Sequence, residues 1–489
     1  MPAPVSPVRA LPLGEPVLRP LSADGLARMH AASLRILDET GVAVGSAGIR
    51  DRLAAAGARV EGDRVRLPTA LIEAALVAAP RTYTLAARDP AWDLPLDGAH
   101  GYLSVDGSTA EILDLETGLR RPSTEADLAE VTRLADALPE IAFLWQGVEA
   151  GDRPVPVRPL HELRTQLANS VKHVQLMTAT TPLAARGAVE MARAVAGGAD
   201  ALRARPVLSS FQVSLSPLTF DGDALEAALV YAEAGVPAGF VVMAIGCATA
   251  PATPAGVLAQ SNAEVLAGIT MLETLAPGAP TFYGACSTTM DLRTGLTTCG
   301  GPEDLLYQAA FAQLARHYRV PSSIGTFAPG AKSADWQAGL ENGLSGIASL
   351  LAGADMLSGA GLLYAARVFA LEEMVLDAEI FGLVRHLAGG LAIDDATLAV
   401  DVIGAVGPGG NFLAEDHTVA HMRALWQPRL FDRGTWEEWE AAGRPSPRDR
   451  ARERAGSLLA SHAPPPLPDG VSGEIDAILA AFSREAGVG

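Results

Sequence analysis

The sequence predicts an α/β fold: a (β/α)8 TIM barrel with an N-terminal α+β extension and a C-terminal helical tail. Three observations carry this. First, apolar, β-prone runs recur between helix-length segments: Ile141–Val148, His173–Thr178, Val207–Val213, Gly239–Ile245, Thr281–Ala285, Ser322–Phe327, Asp355–Leu363 and Asp401–Val406. They number about eight over roughly 300 residues, the size of such a barrel. Second, the runs are continuous rather than alternating, as strands covered on both faces should be. Third, Pro321–Tyr364 holds a strand, a Pro-Gly loop, a long helix and a second strand, one complete βαβ unit. A doubly wound sheet also alternates strand and helix, but no GxGxxG opens a helix after the first strand.

Residues 1–20 are Pro-rich and suit an extended arm. Ser22 is placed to cap a helix whose apolar side runs through Leu26, Met29, Ile36 and Leu37, with Gly41 as its stop. A second helix runs Ile49–Ala56, and Pro68 precedes a third. Tyr83–Ala87, Tyr102–Val105 and Glu111–Leu115 look like short strands, with turns at Asp97-Gly98, Asp106-Gly107 and Thr117-Gly118. Ser123 or Thr124, with acidic residues in the turn that follows, caps the first barrel helix. The expected division is residues 1–122 for the arm and α+β extension, 123–430 for the barrel and 431–489 for the tail.

Composition narrows the function. With 489 residues and 49% hydrophobic content, the chain can bury a large core. A net charge of −19 disfavours nucleic acid and anionic membrane, because phosphate is repelled over most of the surface. Three cysteines make no secreted-type disulfide framework. The Pro-rich start has no signal-peptide core, and no uninterrupted apolar run spans a membrane, so a cytoplasmic protein is expected.

In a parallel α/β fold the active site is built from loops after the strands' C-terminal ends. The loop before the Pro321–Tyr364 helix carries Phe327, Lys332, Asp335, Trp336 and Gln337. Other strand ends bring Gln212, Tyr283, Tyr364 and Arg367. Aromatic residues are 5% of the chain, and their clustering at strand ends suits a cation over ring faces, although each ring taken singly is by default core. Cys286 and Cys299 have no zinc spacing and count as incidental thiols. Glu372 and Glu373 have a solvated helix face as their default. His417 and His421 lie one turn apart without the HExxH pattern, which leaves capping or a ligand role open. Asp335 opens a helix, so capping is weighed against pairing with a cationic substrate.

Several segments together carry a family resemblance: RDP at Arg88, LDLETGLRRPSTEAD at Leu113, NSVKH at Asn169, VSLSPL at Val213, GCATAPATPAG at Gly246 and LAPGAPTFYG at Leu275. DWQAGLEN at Asp335, LEEMVLDAEI at Leu371, GPGGNFL, EDHTVAHMR and WQPRLFDR continue it. From about residue 25 to about residue 443 the chain resembles the trimethylamine methyltransferase family. The resemblance implies a TIM barrel and transfer of a methyl group from a methylamine to the cobalt of a corrinoid on a separate partner protein. Archaeal members carry pyrrolysine near the strand that runs here into Thr326–Lys332, whereas every residue here is standard. The chain is thus similar to the glycine betaine branch, which acts on quaternary amines. On this resemblance Phe327, Lys332, Asp335 and Gln337 form the catalytic loop. Phe327, Tyr283, Trp336 and Tyr364 enclose the ammonium, Lys332, Arg367 or His417 holds a carboxylate, and Gln212 lines the pocket. No DxHxxG cobalamin motif is present, so no corrinoid or metal is expected to reside on this chain. The alternatives are a metal-dependent barrel lyase or thiol methyltransferase, and a betaine-binding protein without catalysis. A homo-oligomer is expected, with Trp436 and Trp439 partly buried between subunits.

Overall fold

A computed structural model describes residues 6–488. Eight parallel strands close into a barrel: β1 (His100–Val105), β2 (Ile141–Leu144), β3 (His173–Leu176), β4 (Leu208–Val213), β5 (Ala238–Val242), β6 (Tyr283–Ala285), β7 (Ser322–Gly325) and β8 (Met356–Ala360). Met356 pairs with Tyr102, Leu357 with Leu103 and Ala360 with Val105, which joins β8 back to β1. Each strand is followed by a helix of the outer ring: α1 (Glu125–Ala137), α2 (Arg158–Asn169), α3 (Pro182–Ala196), α4 (Gly222–Ala234), α5 (Pro254–Leu275), α6 (Pro302–Tyr318), α7 (Trp336–Ala352) and α8 (Leu371–Ala388).

The sheet departs from the sequence expectation at both ends. Its first strand comes from the segment assigned to the extension, so the barrel begins at His100 rather than after residue 122. Asp401–Val406, expected as the last strand, lies in a short helix, Val400–Val406. A short apolar run does not distinguish strand from helix by periodicity. Burial does: Gly101–Val105 is buried throughout, whereas nothing in Val400–Val406 is. Nor does Tyr102–Val105 form a hairpin with Glu111–Leu113, which pairs instead with Val368–Ala370 and Arg120–Pro122.

Helices Ala23–Arg35 and Thr69–Ala78 pack on α5. Ser22 Oγ accepts from Gly25 N, and Thr124 with Asp127 forms a capping box at α1. The hairpin Tyr83–Leu85/Leu94–Leu96 plugs the barrel's N-terminal end, where Leu85, Leu94 and Leu96 join Phe143, Phe282 and Met356 in one apolar cluster. α9 (Pro447–Ser461) lies against α8, and α10 (Val471–Glu485) against α3.

Strand alternation decides which side chains enter the barrel. Phe211 packs on Trp145 inside, with ring centres 4.5 Å apart. Its neighbours Ser210 and Gln212 therefore point to the helix ring, and Tyr283, next to the inward Phe282, does the same.

Candidate active site at the barrel mouth

A hydrogen-bonded column runs along the interior. His173 Nδ1 meets Ala86 O at 2.7 Å, and Nε2 meets Ser209 Oγ at 2.7 Å. Burial pulls the imidazole down to about 4, so the ring is neutral. A neutral ring carrying its proton on Nδ1 donates to Ala86 O and accepts from Ser209. Gln175 Nε2 donates to Ser209 Oγ (3.1 Å), and Trp145 Nε1 donates to Gln175 Oε1 (2.5 Å). The column holds the Trp145 indole by its N–H. Lys172 and His173 sit at the start of β3. Lys172 Nζ there donates to the carbonyls of Ala135, Leu138 and Ile141.

Above this column the mouth is lopsided. Met177, Val213 and Met243 follow or end β3, β4 and β5 on one side. Small inward positions fill the other: Ser104, Gly284, Cys286, Gly325 and Ser358. A Cβ on Gly325 would come 2.6 Å from the Cβ of Cys286, so this glycine is required by packing rather than by ligand volume.

Asp106 follows β1 on the small-residue side. Ser358 Oγ donates to its Oδ2 at 2.7 Å, and the Gly107 amide also favours the charged form. Burial outweighs both and pushes the carboxyl up to about 7. Among the described residues no Lys, Arg or His pairs with it. Burial, then the nearness of Asp106, raises the Cys286 thiol, so Cys286 stays protonated. An acid without a counter-ion, beside aromatic and thioether groups at the end where barrel chemistry resides, makes this recess the candidate site.

Of the residues singled out in the sequence, only Lys332, Tyr364 and Arg367 come together. Tyr364 lies at the tip of the hairpin Leu362–Ala370, where Tyr364, Ala365 and Ala366 all have positive φ. Its amide donates to Ala331 O (2.6 Å), which clamps the hairpin onto the loop after β7. Lys332 Nζ is 5.0 Å and Arg367 Cζ 5.4 Å from the ring centre, so the ring already serves two cations.

The others lie elsewhere. Phe327 is buried between barrel and helices, its ring against Gly346 of α7, and its amide donates to Ser358 O. Gly359, at φ +123°, crosses so close that a Cβ would fall 2.0 Å from Phe327 O. Tyr283 Oη donates to Asn262 Oδ1 (2.9 Å) in the helix layer, and Gln212 Nε2 donates to Ala179 O (3.2 Å). Asp335 caps α7: Oδ1 accepts from the amides of Gln337 and Ala338, and Oδ2 from Ser333 Oγ. These bonds, Ser333's foremost, hold its carboxyl below the usual range. Gln337 Nε2 donates to Glu341 Oε1 along the helix, and Trp336 is 79% exposed on the outer face. His417 stacks on His421, with ring centres 4.3 Å apart, in a segment rooted near the opposite end of the barrel.

Glu372 and Glu373, expected on a solvated face, are both about 1% exposed. Arg448 Nη2 donates to Glu372, while Asn342 Nδ2 donates to both Glu373 and Asp377. Asp106, Trp145 and Met243 were not singled out in the sequence. Tyr102-x-Ser104-x-Asp106 on one strand face was the available signal, and it appears only once that run is a barrel strand. Among the described residues no group of three His, Cys, Asp or Glu side chains is arranged to hold a metal ion.

Residues 3–487 match the family model for trimethylamine methyltransferase (MTTB). The chain is 35% identical over 470 residues to the trimethylamine methyltransferase MttB of Desulfitobacterium hafniense (strain DSM 10664 / DCB-2), covering 96% of this chain and 94% of that protein. It is 34% identical to the glycine betaine methyltransferase of Desulfitobacterium hafniense (strain Y51), covering 96% and 98%. In fold it resembles the monomethylamine methyltransferase MtmB of Methanosarcina barkeri, with TM-score 0.53, 15% identity, and 90% and 88% of the two chains covered. With family match, relatives and barrel in agreement over nearly its whole length, the chain belongs to the trimethylamine methyltransferase family and is a methyltransferase.

Proposed function

We propose that the chain moves a methyl group from a quaternary amine of the glycine betaine type to the Co(I) of a corrinoid carried by a separate protein. The observation that carries this reading is Asp106: a buried acid without a counter-ion, close to Cys286, which packs with Trp145, Phe211 and Met177 in one apolar cluster. A quaternary ammonium is the complementary ligand. It is positive at any pH, donates no hydrogen bond and favours aromatic faces over water. On this reading Lys332 and Arg367, which share the Tyr364 ring, take the carboxylate end of a betaine. Tyr364 then orders the two cations instead of enclosing the ammonium.

A quaternary nitrogen leaves as a neutral amine, so the reaction needs no acid. The C–N bond breaks with its electron pair staying on nitrogen, and the methyl carbon accepts the pair that the reduced corrinoid supplies. This chain's work is to hold the methyl group toward the mouth and exclude water. The rim offers Val213, Leu215 and Met243 as exposed apolar side chains, which suits a flat macrocycle presented from outside. Among the described residues no helix is long and apolar enough to cross a membrane, in keeping with a cytoplasmic enzyme. The working assembly on this reading is a homo-oligomer that meets the corrinoid protein at the mouth.

The test is single-turnover demethylation with the purified chain, a reduced corrinoid protein and glycine betaine. One dimethylglycine per methylated corrinoid is expected. Turnover of trimethylamine with none of betaine would overturn the substrate class. Tight betaine binding with no product under any corrinoid supply would mean a binding protein.

A further inference from the structure

From Arg385 to Arg429 no residue is buried, although the segment folds into three short helices. Helices of this length do not hold themselves together in water, so such a segment needs a surface to lie on. It is strongly apolar. Leu391 is 88% and Leu413 85% exposed, and Ile393, Val400, Ile403 and Val419 are also open. Between Leu387 and Ala414 only Asp394, Asp395 and Asp401 carry charge. Together these side chains present apolar surface on the order of the roughly 800 Å² per partner of a standard interface.

The body of the same chain carries a matching groove. On α7, Trp336, Leu340, Leu344 and Leu351 are all exposed, at spacings of four, four and seven, which is one helix face. Beside it a cleft of about 690 Å³ opens between α7 and α8, floored by Leu376 and Ile380 and walled by Phe431. The arm springs from the end of α8 but does not lie in this groove. Among the described residues its hydrogen bonds stay local, and it returns at Arg429 and Leu430, whose amides donate to Glu379.

We infer that the arm of one chain lies in the α7–α8 groove of a second copy. Deepening the homo-oligomeric reading above, this inference also rests on it. Two further observations favour a second copy over the corrinoid protein. The arm is rooted at the barrel's N-terminal end: α8 finishes there, and Arg429 Nη1 meets Glu140, just ahead of β2, at 3.4 Å. The mouth where a corrinoid must be presented is at the other end. Moreover, arm and groove are both apolar and both belong to this chain, so a second copy supplies each with its complement.

Light scattering on three forms tests it. The full chain should have a mass at least twice 50.5 kDa. An arm variant (Ile403→Asp with Leu413→Asp) and a groove variant (Leu340→Asp with Leu344→Asp) should each lose that association. All four positions are exposed, so the melting midpoint of the monomeric unit should stay within a few degrees, as a circular-dichroism melt would show. Mixing the two variants should restore a two-chain species, because an intact arm then meets an intact groove. A monomeric full chain, an oligomer that survives either variant, or a mixture that stays monomeric would each overturn the pairing. So would an arm that binds only the corrinoid protein. None of these masses depends on substrate, so failure here leaves the methyl-transfer reading untouched, and the converse holds.

Discussion

Ser358 Oγ donates a 2.7 Å hydrogen bond to Asp106 Oδ2 across the seam where the last barrel strand meets the first. The bond favours the charged carboxylate, while burial favours the neutral acid and wins, which leaves the group poised at about 7. A cation bound beside Asp106 prefers the ionised form. Betaine affinity is therefore expected to rise with pH up to about 7 and then level off. Asp106→Asn should weaken binding at high pH and flatten the profile. Ser358→Ala should move the midpoint upward, because it removes a bond to the charged form. A profile of KM against pH on the three proteins checks this, and a flat wild-type profile would remove Asp106 from the site.

Lys332 and Arg367 share the Tyr364 ring. If they hold the substrate's carboxylate, Lys332→Ala or Arg367→Ala should raise KM for glycine betaine about tenfold, corresponding to about 1.4 kcal/mol. Inhibition by tetramethylammonium, which has no carboxylate, should barely change. Equal loss for both ligands would place the two cations outside the substrate's reach.

Phe327 lies in the layer between barrel and helices, so Phe327→Ala should cost about 3–5 kcal/mol of stability through the cavity it leaves. At a temperature where the variant is folded, KM should match the wild type. A large KM change with full stability would return Phe327 to the catalytic list.

Asp335 supplies two N-cap bonds to α7. Asp335→Ala should cost about 1 kcal/mol, whereas Asp335→Asn keeps the cap and should cost less. Neither should alter betaine affinity by isothermal titration. Weakened binding in the Asn variant alone would show that the charge faces the ligand.

The barrel is legible in the sequence because seven of its strands are continuous runs buried on both faces and separated by helices. The first strand is not, because GYLSV followed by Asp-Gly has the local pattern of a hairpin arm. Only its distant pairing with Met356–Ala360 makes it part of the barrel. Asp106 is hidden for the same reason: without β1 it is half of a turn, and Thr326–Gln337 is the loop richest in polar and aromatic side chains. Strand parity explains the misplaced aromatic: Tyr283 was placed by its nearness to a strand end, yet Phe282 beside it takes the inward position. Glu372 and Glu373 look solvated in the sequence because the partner of the first, Arg448, is remote along the chain, and the second is bonded by the uncharged Asn342 while burial favours its neutral acid.

Because the closing strand pair joins residues near 102 to residues near 356, the barrel remains an open sheet while the chain is being made. At roughly 5–20 residues per second, the stretch between them takes on the order of tens of seconds to synthesise. Throughout that interval β1 offers a bare hydrogen-bonding edge to any neighbouring nascent chain. Its own antiparallel partner, Leu11–Pro12, emerges before it and pairs at Gly101 and His100. That short strand can shield one end of the edge from the moment it appears, so trimming the chain ahead of Leu13 should lower the yield of soluble protein more than it lowers the stability of what folds.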